Sequence, residues 1–203
     1  MVKIIYKMLY SKERIVHDAR TRMNYNSRTV SLFEAGDFDT LQLDEIIISH
    51  TIPSIISVTL NAPVHLLEPG KSLNGAFAWM NGESGAGYLA LPDDFLRLIS
   101  FKMTDWSYAV CEVVTQTSDI YVQQKSDTGI AGNPQRPVVA VVQTPAGLVL
   151  EFYSSDGGTV EYGQYAARPV FSEDCVDISE RLYDDVVEEI IIRTLKTISL
   201  ENK

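Results

Sequence analysis

The chain has 203 residues, of which 45% are hydrophobic and 22% charged, so it lies in the ordinary globular range and has the apolar material for a core of its own. Its formal net charge of -10 argues against a protein that grips nucleic acid through a broad basic face. The two cysteines, Cys111 and Cys175, lack CxxC spacing, which leaves a disulfide framework and a zinc site without support.

At the N-terminus basic residues interrupt the apolar ones and no small-residue cleavage site follows, so no secretory signal is expected and the protein is read as soluble and made in the cytoplasm. Residues 12–23 place Ile15, Ala19 and Met23 at four-residue spacing behind a possible cap at Ser11, which predicts a short amphipathic helix. Asn24, Asn26 and Ser27 break it, and residues 36–40 mark a turn. From Leu41 to about Leu60 the positions Leu43, Ile46, Ile47 and His50 follow a helical face, with Pro53 expected to kink that helix or to start a new one. The apolar run Ile46 to Leu60 is cut by Ser49, His50, Thr51, Pro53 and Ser54, and falls short of the ~20 apolar residues of a membrane span.

The character changes at Glu68-Pro69-Gly70. Residues 81–87 form a glycine-rich turn, and strands are predicted at Gly87–Leu91, Phe95–Met103, Val138–Gln143, Leu148–Tyr153 and Thr159–Tyr165. Pro145-Ala146-Gly147 and the segment 155–158 separate the last three at hairpin spacing, so the middle of the chain reads as an antiparallel sheet. A long polar connection, residues 115–136 with a turn of helix near Ile120 to Gln123, is long enough to be functional and is expected to reach a neighbour. Ser179 to Leu200 carries a stripe of Leu182, Val186, Val187, Ile190, Ile191, Leu195 and Ile198, with acidic residues in its first half and Arg193 and Lys196 near its end.

The order helix, sheet, helix predicts an α+β fold: one domain whose helical parts, 1–66 and 178–200, pack together around a β-rich insertion at about 85–170. Ile192 lies roughly opposite Ile190 on the helical wheel, so the stripe that buries Ile190 leaves it out, and it is expected to touch a second subunit.

Candidate chemistry is weak throughout. Gly82-Glu83-Ser84-Gly85-Ala86 has the spacing of a nucleophile elbow, but a polar turn precedes it and a strand follows, where that motif needs a strand and then a helix. The same glycines make no phosphate loop. His17, His50 and His65 are isolated, and Asp93 with Asp94 fits a turn better than an acid and base pair. The acidic cluster from Glu173 to Glu189 lacks the spacing and central glycine of an EF-hand loop. Neither a cofactor nor a metal is expected. Residues 1–30 hold seven Lys or Arg against two acids, and residues 173–189 hold eight acids against one base. Such faces can meet between neighbouring subunits or simply solvate helix surfaces. Asp184, Asp185, Glu188 and Ile192, with Gln123, Lys125 and Asn133 of the long connection, are the candidate subunit-interface residues.

Leu91-Pro92-Asp93-Asp94-Phe95-Leu96-Arg97-Leu98-Ile99-Ser100-Phe101-Lys102-Met103, Asp105-Trp106, Arg136-Pro137-Val138-Val139-Ala140 and Leu148-Val149-Leu150-Glu151-Phe152-Tyr153 resemble the central part of head-to-tail connector proteins of tailed bacteriophages. The similarity is greatest to ring proteins of crAss-like phages, more distant to the adaptor beneath podovirus portals, and covers roughly residues 88–195. It implies packed helices with a β insertion, a homo-oligomeric ring of about twelve subunits between portal and tail, genomic DNA passing through the channel without specific binding, a place in the virion and no enzymatic activity. An acidic lining would let DNA slide. Another minor virion protein of the tail or capsid, a small hydrolase using Ser84, and a module capturing a host ligand through residues 115–136 are the rival readings.

Overall fold

The structure is a computed structural model that describes residues 8–26, 40–68, 70–80, 85–124, 132–153, 155 and 158–201. The chain divides into two compact units: Met1–Glu68 with Pro169–Lys203, and Pro69–Arg168. The boundary falls at the composition change read at Glu68-Pro69-Gly70. The class is α+β, with N- and C-terminal helices packed together and the sheets between them in sequence.

The first unit begins with a short strand β1 (Leu9–Ser11) and helix α1 (Lys12–Asn26). Ser11 caps the helix, its Oγ accepting from the Arg14 amide at 3.3 Å, and Ile15, Ala19 and Met23 are buried at the spacing the sequence showed. Helix α2 (Thr40–Asn61) continues through Pro53 as one helix, so no new helix starts there. Pro53 sits on the exposed side of the helix. The chain returns in β9 (Cys175–Asp177), antiparallel to β1 with Tyr10 opposite Val176, and ends in α4 (Tyr183–Glu201). Just before β9, Glu173 and Asp174 take left-handed backbone angles in a tight turn closed by Ser172 and Cys175.

The core of this unit joins Ile15, Ala19 and Met23 of α1, Ile47 and Ile55 of α2, and Val186, Val187, Ile190 and Ile191 of α4. Tyr10 stacks on Tyr183 with centroids 4.0 Å apart, and the Arg14 guanidinium lies over both rings. One stripe residue departs from expectation. Leu195 is 41% exposed, and Thr194 is the buried residue at that level. Arg193 and Lys196 also lie short of the last turn, which carries no base, because the helix continues to Glu201.

The second unit is built from β2 (Lys71–Ser72), β3 (Ala78–Met80), β4 (Ala86–Ala90), β5 (Phe95–Met103), the short helix α3 (Asp119–Gln124), β6 (Val138–Thr144), β7 (Gly147–Tyr153) and β8 (Val160–Ala167). These strands form two antiparallel sheets, β2-β8-β5 and β3-β4-β7-β6. Pro145-Ala146-Gly147 makes the expected hairpin between β6 and β7, with Gly147 at a positive φ that suits the turn. Strands β7 and β8 belong to different sheets and so do not pair as a second hairpin. Ser155, between them in sequence, is fully buried and donates to Asp105 Oδ1 at 3.0 Å. Phe101 and Met103 of β5 pack with Leu150 and Phe152 of β7, Leu89 of β4 and Trp106, giving a β-sandwich core. Gly87 is required at its place in β4: a Cβ there would lie 2.4 Å from the Phe152 ring and 2.6 Å from the Trp79 carbonyl oxygen.

Candidate interaction surfaces

Helix α4 is amphipathic, but its outer side is not uniformly polar. Asp185, Glu188, Ile192, Leu195, Lys196 and Ser199 are exposed, and the alternating three- and four-residue steps 185, 188, 192, 195 and 199 place them along one stripe. Ile192 is 54% exposed, as the wheel required. Asp184 lies to the side of that stripe, ion-paired with Arg22 of α1. Glu189 holds Arg193 at 2.7 Å.

The opposite-signed runs seen in the sequence meet within one chain. Lys12 bonds Asp174 at 2.5 Å and Arg22 bonds Asp184, while Arg14 and the Tyr183 hydroxyl both address Asp18, at 3.8 and 2.7 Å. Asp18 and burial together push Tyr183 well above the usual phenol range, burial contributing most. These pairs fix α1 against the start of α4, which leaves Asp185 and Glu188 as the members of the acidic cluster that face outward from the stripe.

Helix α2 is largely half-buried, and its exposed positions, Gln42, Glu45, Ser49, Pro53, Leu60 and Asn61, are mostly polar. Gln42–Asn61 is long and apolar enough, by length and composition alone, to cross a membrane, and 22% of that stretch is buried. Polar interruptions such as Ser49 and Ser54 are what make the run from Ile46 to Leu60 look too short for a span in the sequence alone. The inward side of the helix uses Ile47, Thr51, Ser54 and Ile55 against α1 and α4, and His50 Nε2 meets Thr197 Oγ1 at 2.9 Å. Leu60, at 47% exposed, and Pro53 lie outward.

In the second unit, the long connection is better anchored than its composition suggested. Tyr121 of α3 is buried and gives its hydroxyl to Glu151 Oε2 at 2.9 Å, and Tyr153 does the same at 2.5 Å. Burial first, and then the hydrogen bond to Glu151 and its charge, raise the Tyr153 phenol far above its ordinary value. Of the three candidate interface residues here, Gln123 is half-buried on α3, and Asn133 is turned on its own loop, its Oδ1 accepting from the Gln135 and Arg136 amides at 3.0 and 2.9 Å. Lys125 lies outside the described residues. The exposed apolar residues of α3 are Ile120 and Val122, 51% and 62% exposed.

A second exposed feature escaped the sequence reading. Register sets Trp79 opposite Tyr88, and Tyr88 opposite Glu151, across the face of the four-stranded sheet. Trp79 and Tyr88 stack with centroids 5.3 Å apart, and Phe77 meets Trp79 edge-on at 4.8 Å. The β6 and β7 half of this face is covered by Tyr121, whereas the β3 and β4 half shows its aromatics to solvent. The alternation of Phe77 and Trp79 is the one signal that could have pointed to it.

Catalytic candidates gain little. Ser84 lies outside the described residues. Asp94 accepts from Lys71 and Tyr165 in the turn leading into β5, and no group of three or more His, Cys, Asp or Glu among the described residues is placed to hold a metal ion. No family model matches the chain, and no curated protein matches it.

Proposed function

We propose that this chain is a non-enzymatic structural subunit of a tailed-phage virion, a head-to-tail connector that assembles as a ring of about twelve copies between portal and tail. The observation that carries the reading is apolar surface left exposed on an otherwise well-packed chain: Ile192, Leu195 and Leu200 on α4, Leu60 on α2, and the Phe77, Trp79 and Tyr88 cluster on the sheet. A free monomer seldom leaves clustered apolar and aromatic side chains to water. The resemblance to connector proteins over residues 88–195 supports the same reading, and its quoted segments fall on the turn and strand of β5 and on the β6–β7 hairpin. On this reading the portal and further tail or ring proteins are the neighbours above and below, and DNA passes without specific contact, in keeping with the net charge of -10. Cryo-electron microscopy of the particle that contains the chain tests it. A ring of this fold between portal and tail is the expected result; density for the chain in the capsid shell or elsewhere on the tail overturns it in favour of an accessory role.

A further inference from the structure

We infer that the outer stripe of α4 is a self-recognition surface that pairs with the same stripe of a second copy, antiparallel, about a two-fold axis beside Ile192. The inference uses α4 as an interface, as the functional proposal does, but requires neither a virion nor a ring. Ile192 and Leu195 form the apolar centre of the stripe, 54% and 41% exposed. Asp185 and Glu188 lie on its N-terminal side and Lys196 on its C-terminal side, all exposed and in no ion pair with another described residue.

The order of charges selects the partner and its direction. Glu188 and Lys196 each stand four positions from Ile192, so they lie about 6 Å to either side of it along the helix axis. Turning a second α4 through 180° about Ile192 sets Glu188 of each copy against Lys196 of the other and Ile192 against Ile192. A parallel arrangement would stack Asp185 and Glu188 on their own copies and Lys196 on Lys196, which like-charge repulsion disfavours. The flanking charges do not oppose the antiparallel fit, because Arg22 already neutralises Asp184 and Arg193 neutralises Glu189. Such a contact is isologous and closes on two copies. It is therefore a state of the free protein, distinct from the repeated heterologous contact by which a ring is built.

Sedimentation equilibrium of the full chain tests this, with circular dichroism to confirm that each variant is folded. The unaltered chain is expected to dimerise. Ile192→Glu should weaken dimerisation on the order of a hundredfold, and Glu188→Lys or Lys196→Glu alone by roughly tenfold. The double variant Glu188→Lys with Lys196→Glu should regain most of the loss, because the swapped charges again face one another only in the antiparallel pair. A chain that stays monomeric, single charge variants that dimerise as the parent does, or a double variant no better than the single ones would each overturn the inference. A dimer in solution without a ring in the particle would remove the connector reading alone, and a ring in the particle from a chain monomeric in solution would remove this one alone.

Discussion

Tyr165 of β8 donates its hydroxyl to Asp94 Oδ1 at 2.9 Å, joining two positions 71 residues apart at the rim of the β-sandwich. The Lys71 ammonium holds the other carboxylate oxygen, so one acid at the start of β5 ties down strands β2 and β8. Burial, the hydrogen bond to Asp94 and the charge of Asp94 push the Tyr165 phenol up to about 12, while the bond from Lys71 holds Asp94 below the usual carboxylate range.

Both shifts translate into pH dependence. A phenol whose folded value is raised contributes stability fully present below its unfolded value near 10 and lost as pH rises through about 12. A carboxyl whose folded value is lowered contributes stability above its ordinary range that disappears as pH falls through it. Urea unfolding across pH should therefore show Tyr165→Phe flattening the alkaline limb and Asp94→Asn flattening the acid limb. Near neutral pH, Tyr165→Phe should cost about 1 kcal/mol, the net worth of one hydrogen bond.

Gly87→Ala tests the sandwich core. The added methyl meets the Phe152 ring and the Trp79 carbonyl at distances that no real Cβ tolerates, so β4 must shift away from β3. The expected loss is about 1–3 kcal/mol in chemical denaturation. Gly147→Ala, at a positive φ with open space around it, should cost less than that and leave the core untouched.

The two tryptophans report different surroundings. Trp79 is 43% exposed in the aromatic cluster and Trp106 is 3% exposed beside Phe101 and Phe152. Trp79→Phe should shift the emission maximum to the blue and remove most quenching by acrylamide. Trp106→Phe should do the reverse and also lower stability, since it thins the core.

Helix α2 passes the length and composition test for a membrane span, yet it carries Asp44, paired with Arg20, near its start and a row of polar side chains on its buried side. Burying that row against α1 and α4 is incompatible with burying it in lipid. Flotation with neutral and anionic vesicles should leave the folded chain in the soluble fraction, and recovery with the vesicles would contradict the packing described here.

The long periodic elements were legible because their own residues fix them. Ile15, Ala19 and Met23 mark α1, Phe95 to Met103 mark β5, and the wheel of α4 isolates Ile192. What the sequence hid was non-local. Strands β1 and β9 are three residues each and pair across more than 160 positions, so no window of sequence contains their periodicity. Strands β7 and β8 follow one another closely in sequence, yet they belong to different sheets. Hydrophobicity favoured Leu195 for the core, whereas the geometry of α4 put Thr194 there. The aromatic cluster was invisible for the same reason as β1 and β9, because register alone brings Tyr88 to Trp79.

The insertion of the β-sandwich within the helical unit sets an order of events on the ribosome. Helices α1 and α2 emerge early with apolar faces meant for α4, which is made only after the sandwich. The sandwich can close while α4 is still inside the exit tunnel, but the helical core must wait for it. Throughout that interval Ile15, Ile47 and Ile55 lack their principal cover, so nascent chains stalled before residue 183 should be the ones that chaperones hold.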